Sequence, residues 1–208
     1  MNKKKELFGS SKETYWDYVG EEAKARVGNN MQLKGIIHEI AIRDSKNISF
    51  QNILEGKVTR LTKSTTAKSV DIVTLKNGKI VERIQAKDLT NSSSITVLKQ
   101  KIKSNQYKNS KLVGTYETTN LYNKASKGVG KKMESSNISS TTTTRVAHNA
   151  GVNIPNKDVF INNLKDINVQ AKQSAIISAS IGGAFSIFNN GKKLMNNEIV
   201  VWSFLKKH

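Results

Sequence analysis

SVDIVTLKNGKIVERIQAK, residues 69–87, is the stretch on which the reading of the fold turns. Two runs rich in Val, Ile and Thr, Ser69 to Leu75 and Lys79 to Lys87, flank the dipeptide Asn77-Gly78. Branched side chains suit a pleated, half-buried surface, and Asn-Gly accepts the positive φ angles that a tight hairpin needs. The pair therefore predicts two antiparallel strands. A third run, Lys57 to Lys63, has the same character and supplies a strand before them.

Helices are expected on both sides of these strands. Upstream, Ser10-Ser11-Lys12-Glu13 reads as a capping box opening a helix that carries Tyr15, Trp16, Tyr18 and Val19. After Gly28-Asn29-Asn30, a second helix is predicted from about Met31 to Arg43, with Ile36, Ile37 and Ile40 apolar and Glu39 among them. Downstream, Ser92-Ser93-Ser94 offers an N-cap for a helix to about Asn105 that turns Ile95, Leu98 and Ile102 inward. Lys111 to Thr115 reads as one more short strand. The order helix, three strands, helix, strand is an α/β layer plan. Beyond Thr118 the chain turns helical and polar. A short helix is predicted over 139–150, with Ser140 as a cap and Gly151 as its stop. Pro155 marks a turn, and a longer helix is predicted over 166–190. The apolar tail, Ile199 to Leu205, suits either a strand or a helix.

Charge is the dominant feature of the composition. Among 208 residues, 34 Lys and Arg stand against 16 Asp and Glu, a formal charge of +18. Such an excess favours polyanions through counterion release, whatever their sequence. A merely soluble basic surface and attraction to anionic lipid are the alternatives. The chain has no cysteine, which excludes disulfides and thiolate metal sites. Its three histidines are scattered, and His38-Glu39 lacks the second His of a zincin. Residues 1–6 are basic but precede too little apolar length for a secretory signal, so a cytoplasmic protein is expected.

Three positions stand out within this plan: Glu39 on a helix, Asp71 in a strand, and Gln85-Ala86-Lys87 ending the next strand. Here the chain resembles the PD-(D/E)XK nuclease superfamily, whose pattern is an Asp on one strand and an (Asp/Glu/Gln)-x-Lys on the next, often with a Glu from the preceding helix. The resemblance covers about Met31 to Thr118. It implies a restriction-endonuclease-like αβββαβ core in residues 1–120, with residues 121–208 as a mainly helical extension. It further implies hydrolysis of phosphodiester bonds in nucleic acid, DNA ahead of RNA, with Mg²⁺ (or Mn²⁺). Asp71 would be the principal metal ligand, with the Gln85 side-chain oxygen, the Ala86 carbonyl and Glu39 completing the set. Hard cations prefer such oxygen donors. Lys87 would orient the attacking water or stabilise charge on the phosphorane. Val70 stands where the pattern has Pro, and Gln85 replaces an acid, leaving one negative charge fewer. A non-catalytic nucleic-acid-binding module on a degenerate nuclease fold is therefore the alternative, and a toxin or membrane-associated nuclease is a third. Taken singly, Asp71 and Lys87 also read as solvated strand-end charges.

Register tests the constellation, because side chains alternate faces along a strand. A two-residue turn at Asn77-Gly78 pairs Lys76 with Lys79 and sends Asp71 to the wrong face. A three-residue loop over 76–78, with Gly78 in a G1 bulge, pairs Leu75 with Lys79 instead. Asp71 then lies opposite Arg83 and diagonal to Gln85. The nuclease reading predicts the second arrangement, unless another bulge restores the phase.

Between Asp88 and Glu117 there is no acidic residue, whereas Lys99, Lys101, Lys103, Lys108 and Lys111 fall inside that window. Lys99, Lys101, Lys103 and Lys108 are candidates for gripping backbone phosphates, or form an ordinary solvated face. Tyr107 and Tyr116 suit base stacking or the core. Gln173 to Gly191 carries no charge and has rows of small residues at four-residue spacing, Ala171-Ala175-Ala179-Gly183 and Ser174-Ser178-Gly182-Ser186. Such rows permit close helix approach. The segment is expected to pack as a soluble helix or a homodimer seam. Its apolar part is too short to span a bilayer, which leaves membrane contact a lesser expectation.

Overall fold

The computed structural model describes residues 3–64, 69–127 and 130–152. They form a mixed α/β unit with the elements α1 (Lys3–Val27), α2 (Leu33–Asn47), α3 (Phe50–Leu54), β1 (Lys57–Leu61), β2 (Ile72–Lys76), β3 (Lys79–Lys87), α4 (Ser92–Lys103), β4 (Lys111–Gly114), α5 (Tyr116–Ala125), β5 (Met133–Ser135) and α6 (Ser140–Asn149). The five strands make one sheet in sequence order. β1, β2 and β3 are antiparallel neighbours, while β3–β4 and β4–β5 are parallel. A parallel neighbour requires a crossover, and α4 and α5 supply the two that are needed.

Three apolar clusters fill the layers. Leu33, Ile36, Ile37 and Ile40 recur at helical spacing on α2 and are buried against Tyr15, Trp16 and Val19 of α1, Val146 and Ala147 of α6 and its C-cap Ala150. Ile42, at the far end of α2, meets Ile72, Ile84, Ala86 and Val113 on one face of the sheet. On the other face Ile95, Leu98, Tyr107, Leu112, Tyr122 and Met133 pack together beneath α4 and α5. Alternation along β3 thus sends Ile84 and Ala86 into the cluster with Ile42, with Gln85 and Lys87 at the alternate positions of the strand. Arg43 fastens α2 to α1, its Nη2 donating to Glu22 at 2.8 Å and its Nε to Asp44 at 2.7 Å.

Several boundaries differ from the sequence reading. α1 starts at Lys3, so Ser10 and Ser11 lie inside it and open no helix. α2 begins two residues later than predicted and runs on to Asn47, since the polar stretch Asp44 to Asn47 continues its hydrogen-bonding. The N-cap of α4 is Asn91, whose side chain accepts from the Ser94 N–H at 2.8 Å. That of α6 is Ser139, because Ser140 turns its hydroxyl toward Asp88. Gly151, at φ 90°, ends α6 as predicted. The prediction missed α3 and β5, both too short to show a period, and gave no bounds to α5, which it had only as helical character beyond Thr118. Nor does residue 120 mark a boundary: α5 crosses it, β5 extends the sheet and α6 completes the α1–α2 core. The helix expected over 166–190, its small-residue rows, the turn at Pro155 and the tail 199–205 lie outside the described residues. Among the described residues, no helix is long and apolar enough to cross a membrane.

The hairpin corrects one expectation and keeps its consequence. Asn77 (φ 51°) and Gly78 (φ 74°) form a two-residue turn with both φ angles positive, and Lys76 pairs with Lys79. The three-residue loop is therefore not formed. A bulge further along shifts the register between Thr74 and Leu75, however. Leu75 pairs with Ile80 and Thr74 with Glu82, so Val81 is the extra residue. The shift restores the phase that the turn had lost. Asp71 sits across from Gln85, two residues along β3 from Arg83, the partner the three-residue loop would have given it.

Gly114 closes β4 where α5 and β5 press together. A Cβ there would lie 2.5 Å from the Met133 sulfur, 2.7 Å from Thr119 Oγ1 and 3.3 Å from Thr118 Cβ. Gly114→Ala is expected to lower stability by about 1–3 kcal/mol through overpacking. An unchanged midpoint in urea unfolding would contradict this close approach.

Candidate functional site

Asp71 lies just before β2 rather than within it, yet the ladder continues through it. Thr62 N–H donates to the Asp71 carbonyl at 2.8 Å, and Asp71 N–H donates to the Ile84 carbonyl at 2.9 Å. The backbone is therefore held on both sides. Its carboxylate, in a residue only 9 % exposed, accepts from the Ala86 N–H at 2.8 Å and from the Gln85 amide nitrogen. Gln85 is 3 % exposed, and its Oε1 is buried without a hydrogen-bond partner. An unsatisfied buried carbonyl oxygen is costly and calls for a donor or a cation.

Glu39, half-buried on α2, lies close enough to Asp71 and Lys87 for their charges to act on it. It makes no hydrogen bond or ion pair with another described residue. Burial, followed by the nearby Asp71 charge, pushes its carboxyl up to about 8, while Lys87 and Arg26 act in the opposite direction. Burial likewise raises Asp71, against the pull of Lys87, the Ala86 N–H and the Gln85 amide. Lys87, the last residue of β3, is held below the usual ammonium range. Burial is the main cause; Asp71 and Glu39 oppose it, and Lys101 adds to it. The Lys87 ammonium also lies 5.5 Å from the centre of the Tyr107 ring. Glu39, Asp71, Gln85 and Lys87 thus converge from α2, the start of β2 and the end of β3, with Ala86 contributing its main chain.

The donor chemistry suits a hard divalent cation: two carboxylates, an unpaired amide oxygen and adjacent main chain. Among the described residues, no three His, Cys, Asp or Glu side chains group in a way that could hold a metal. A cation here would therefore depend on Gln85 or the backbone as well as on Asp71 and Glu39. His38, next to Glu39, is fully buried. Its Nε2 is 2.8 Å from Ser136 Oγ, and burial holds its imidazole down to about 4, so it is neutral at pH 7.

Arg26 is a neighbour that sequence reasoning missed. From the last turn of α1 its Nη2 donates at 2.8 Å to the carbonyl of Thr62, the residue whose N–H bonds Asp71. Its Nε is buried without a partner, and its charge reaches Glu39. Arg26 and Asp71 lie far apart in sequence, and no local spacing signals their meeting. Asp88, immediately after Lys87, was likewise passed over. Its carboxylate is 1 % exposed, pairs with Lys34 at 3.2 Å and accepts from Thr143 Oγ1 at 2.6 Å and from Ser140 Oγ. These bonds pin the end of β3, and with it the backbone that carries Lys87.

The four basic candidates divide. Lys101 is exposed and close enough for its charge to act on Lys87. Lys103 and Lys108 are exposed and make no ion pair with a described residue. Lys99 differs from expectation: its ammonium donates to the Ala125 carbonyl at 2.6 Å, closing the C-terminal end of α5 onto α4. A carbonyl at a helix end attracts a cation, which accounts for this diversion. Tyr107, 3 % exposed, belongs to the core and flanks Lys87 rather than offering a stacking face. Tyr116 is half-buried at the first position of α5.

Comparison with known proteins returned no match among family models, curated proteins or solved structures.

Proposed function

We propose that the chain is a metal-dependent phosphodiesterase acting on nucleic acid, with a restriction-endonuclease-like core. The observation that carries this reading is the closeness of the Glu39, Asp71 and Lys87 charges to one another, with the Gln85 amide nitrogen bonded to Asp71 and its Oε1 buried and unpaired. Asp71, Gln85 and Glu39, with the Ala86 carbonyl, are the groups that would hold Mg²⁺ (or Mn²⁺). Bound there, such a cation supplies a Lewis acid that polarises the phosphoryl group and makes a water nucleophilic near neutral pH. Lys87 brings positive charge to the oxygens that become more negative in the transition state. Its lowered proton affinity also lets it exchange a proton with water more readily than an exposed lysine. The chain's net charge of +18 draws the polyanionic substrate, DNA ahead of RNA.

A second reading, a nucleic-acid-binding module without catalysis, has one contact in its favour. The Gln85 amide already donates to Asp71 and so satisfies part of the carboxylate without a cation. Cleavage of labelled single-stranded, duplex and branched DNA and RNA in Mg²⁺ or Mn²⁺ separates the two. Metal-dependent cutting by the wild type that Lys87→Ala removes is the expected result. Tight binding without cutting in either metal would select the binding module.

A further inference from the structure

A groove of about 430 Å³ lies on the outer side of β3, where β4 and β5 begin. It is lined by five cationic side chains, Arg83, Lys108, Lys111, Lys131 and Lys132, against two carboxylates, Glu82 and Glu134. The carboxylates are already engaged: Lys111 lies 3.1 Å from Glu82 and 3.9 Å from Glu134, and Lys46 lies 2.7 Å from Glu82. Lys131 donates to the main-chain carbonyls of Tyr107 and Lys108. It therefore anchors the loop that carries Lys108 while keeping its own charge in the wall. Ser110 ties the same loop to the Ser69 carbonyl at 2.7 Å. Arg83, Lys108 and Lys132 remain exposed and unpaired with any described carboxylate. The groove thus holds three cations, Arg83, Lys108 and Lys132, that pair with neither of its two carboxylates.

Its position relates it to the candidate site. Arg83, Gln85 and Lys87 are alternate residues of β3 and share one face of the strand. Four residues of extended strand separate Arg83 from Lys87, about 13 Å. That distance corresponds to about four nucleotides of rise along a duplex strand. Exposed Lys101, beside Lys87, extends the positive surface around the site. We infer that this groove holds the backbone phosphates of the nucleic-acid strand several nucleotides from the reacting one, with Arg83, Lys108 and Lys132 as the contacts. The inference rests on the reading of the site as a phosphodiesterase, and it adds a footprint that the site residues alone do not require.

The test compares two double variants that remove equal charge from exposed positions. Arg83→Ala/Lys132→Ala removes two of the three proposed phosphate contacts from the groove, whereas Lys79→Ala/Arg145→Ala lies outside it. Binding of a labelled 20-nucleotide strand and of its duplex is measured without metal over a range of salt concentrations, and cleavage is measured with Mn²⁺. The groove variant is expected to bind ~10-fold more weakly at 0.1 M salt. Its salt slope should fall by about 1.4 for the single strand or 1.8 for the duplex, as loss of two phosphate contacts requires. The control variant should stay near wild type, and both should keep their fold by circular dichroism. Equal weakening in the two variants, or none in either, would overturn the groove assignment, even with cleavage intact. A wild type that binds no nucleic acid at all would overturn both the groove and the reading of the site.

Discussion

Asp71→Ala is expected to abolish metal-dependent cleavage, with a loss of ~10³-fold or more, while leaving metal-free nucleic-acid binding nearly unchanged. The carboxylate is the centre of the candidate site, touching Gln85 and the Ala86 N–H and lying close enough to Lys87 and Glu39 to act on both. On the proposed reading, its removal takes away the principal oxygen donor for a divalent cation, and several kcal/mol of transition-state charge stabilisation with it. Each 1.36 kcal/mol is a factor of ten in rate. Binding depends on exposed cations elsewhere, so the two measurements should separate. Gln85→Glu makes the complementary case. A second acid beside Asp71 should tighten Mn²⁺ binding, read by calorimetry, because it adds a negative oxygen donor where the amide now stands. Retained cleavage in Asp71→Ala would remove this carboxylate from the mechanism. Weaker Mn²⁺ binding in Gln85→Glu would count against Gln85 as a ligand.

The second large effect concerns pH. Glu39 holds its proton to about 8 in the folded chain, whereas an unfolded glutamate releases it near 4.5. Between those values the folded state binds more protons than the unfolded state, so stability falls as pH rises. Below about 4.5 the group is protonated in both states and contributes no difference. Above about 8 the full penalty is in place, of order 2–4 kcal/mol because the cluster shares its charge. Asp71, also raised by burial, acts with the same sign. Unfolding in urea with a chelator present should therefore give a lower midpoint at pH 8 than at pH 5.5. Glu39→Gln should flatten that slope and raise stability at pH 8. On the proposed reading, Mn²⁺ should stabilise the wild type increasingly toward pH 8, as the carboxylates become available to it, and should stabilise Glu39→Gln less. A wild-type midpoint independent of pH over this range would contradict the buried placement of Glu39.

Local chemistry accounts for what was legible in the sequence. The run Lys79 to Lys87 is a strand with the predicted ends, because branched residues cluster there and Asn77-Gly78 permits only a tight reversal. The inward face of α4 follows from Ile95 and Leu98 at helical spacing, and α6 from a serine cap and a glycine stop. Glu39, Asp71, Gln85 and Lys87 could be nominated together because residue type and element order converge at these positions. Short elements escaped, since α3 and β5 contain too few residues to establish a period. So did the extent of the core, because strands β4 and β5 are neighbours only through a crossover.

Composition and pattern by themselves determined an α/β layering and a strongly basic chain, and the resemblance to a nuclease pattern nominated four candidate site residues. Tertiary structure decided whether those residues meet. The turn alone would have set Asp71 on the wrong face, and it is the extra residue at Val81 that brings Asp71 opposite Gln85. Tertiary contacts also diverted Lys99 to a helix end, buried Tyr107 beneath Lys87 and brought Arg26 beside Thr62. Register, burial and long-range contact depend on how whole elements pack, and one-dimensional spacing does not specify them.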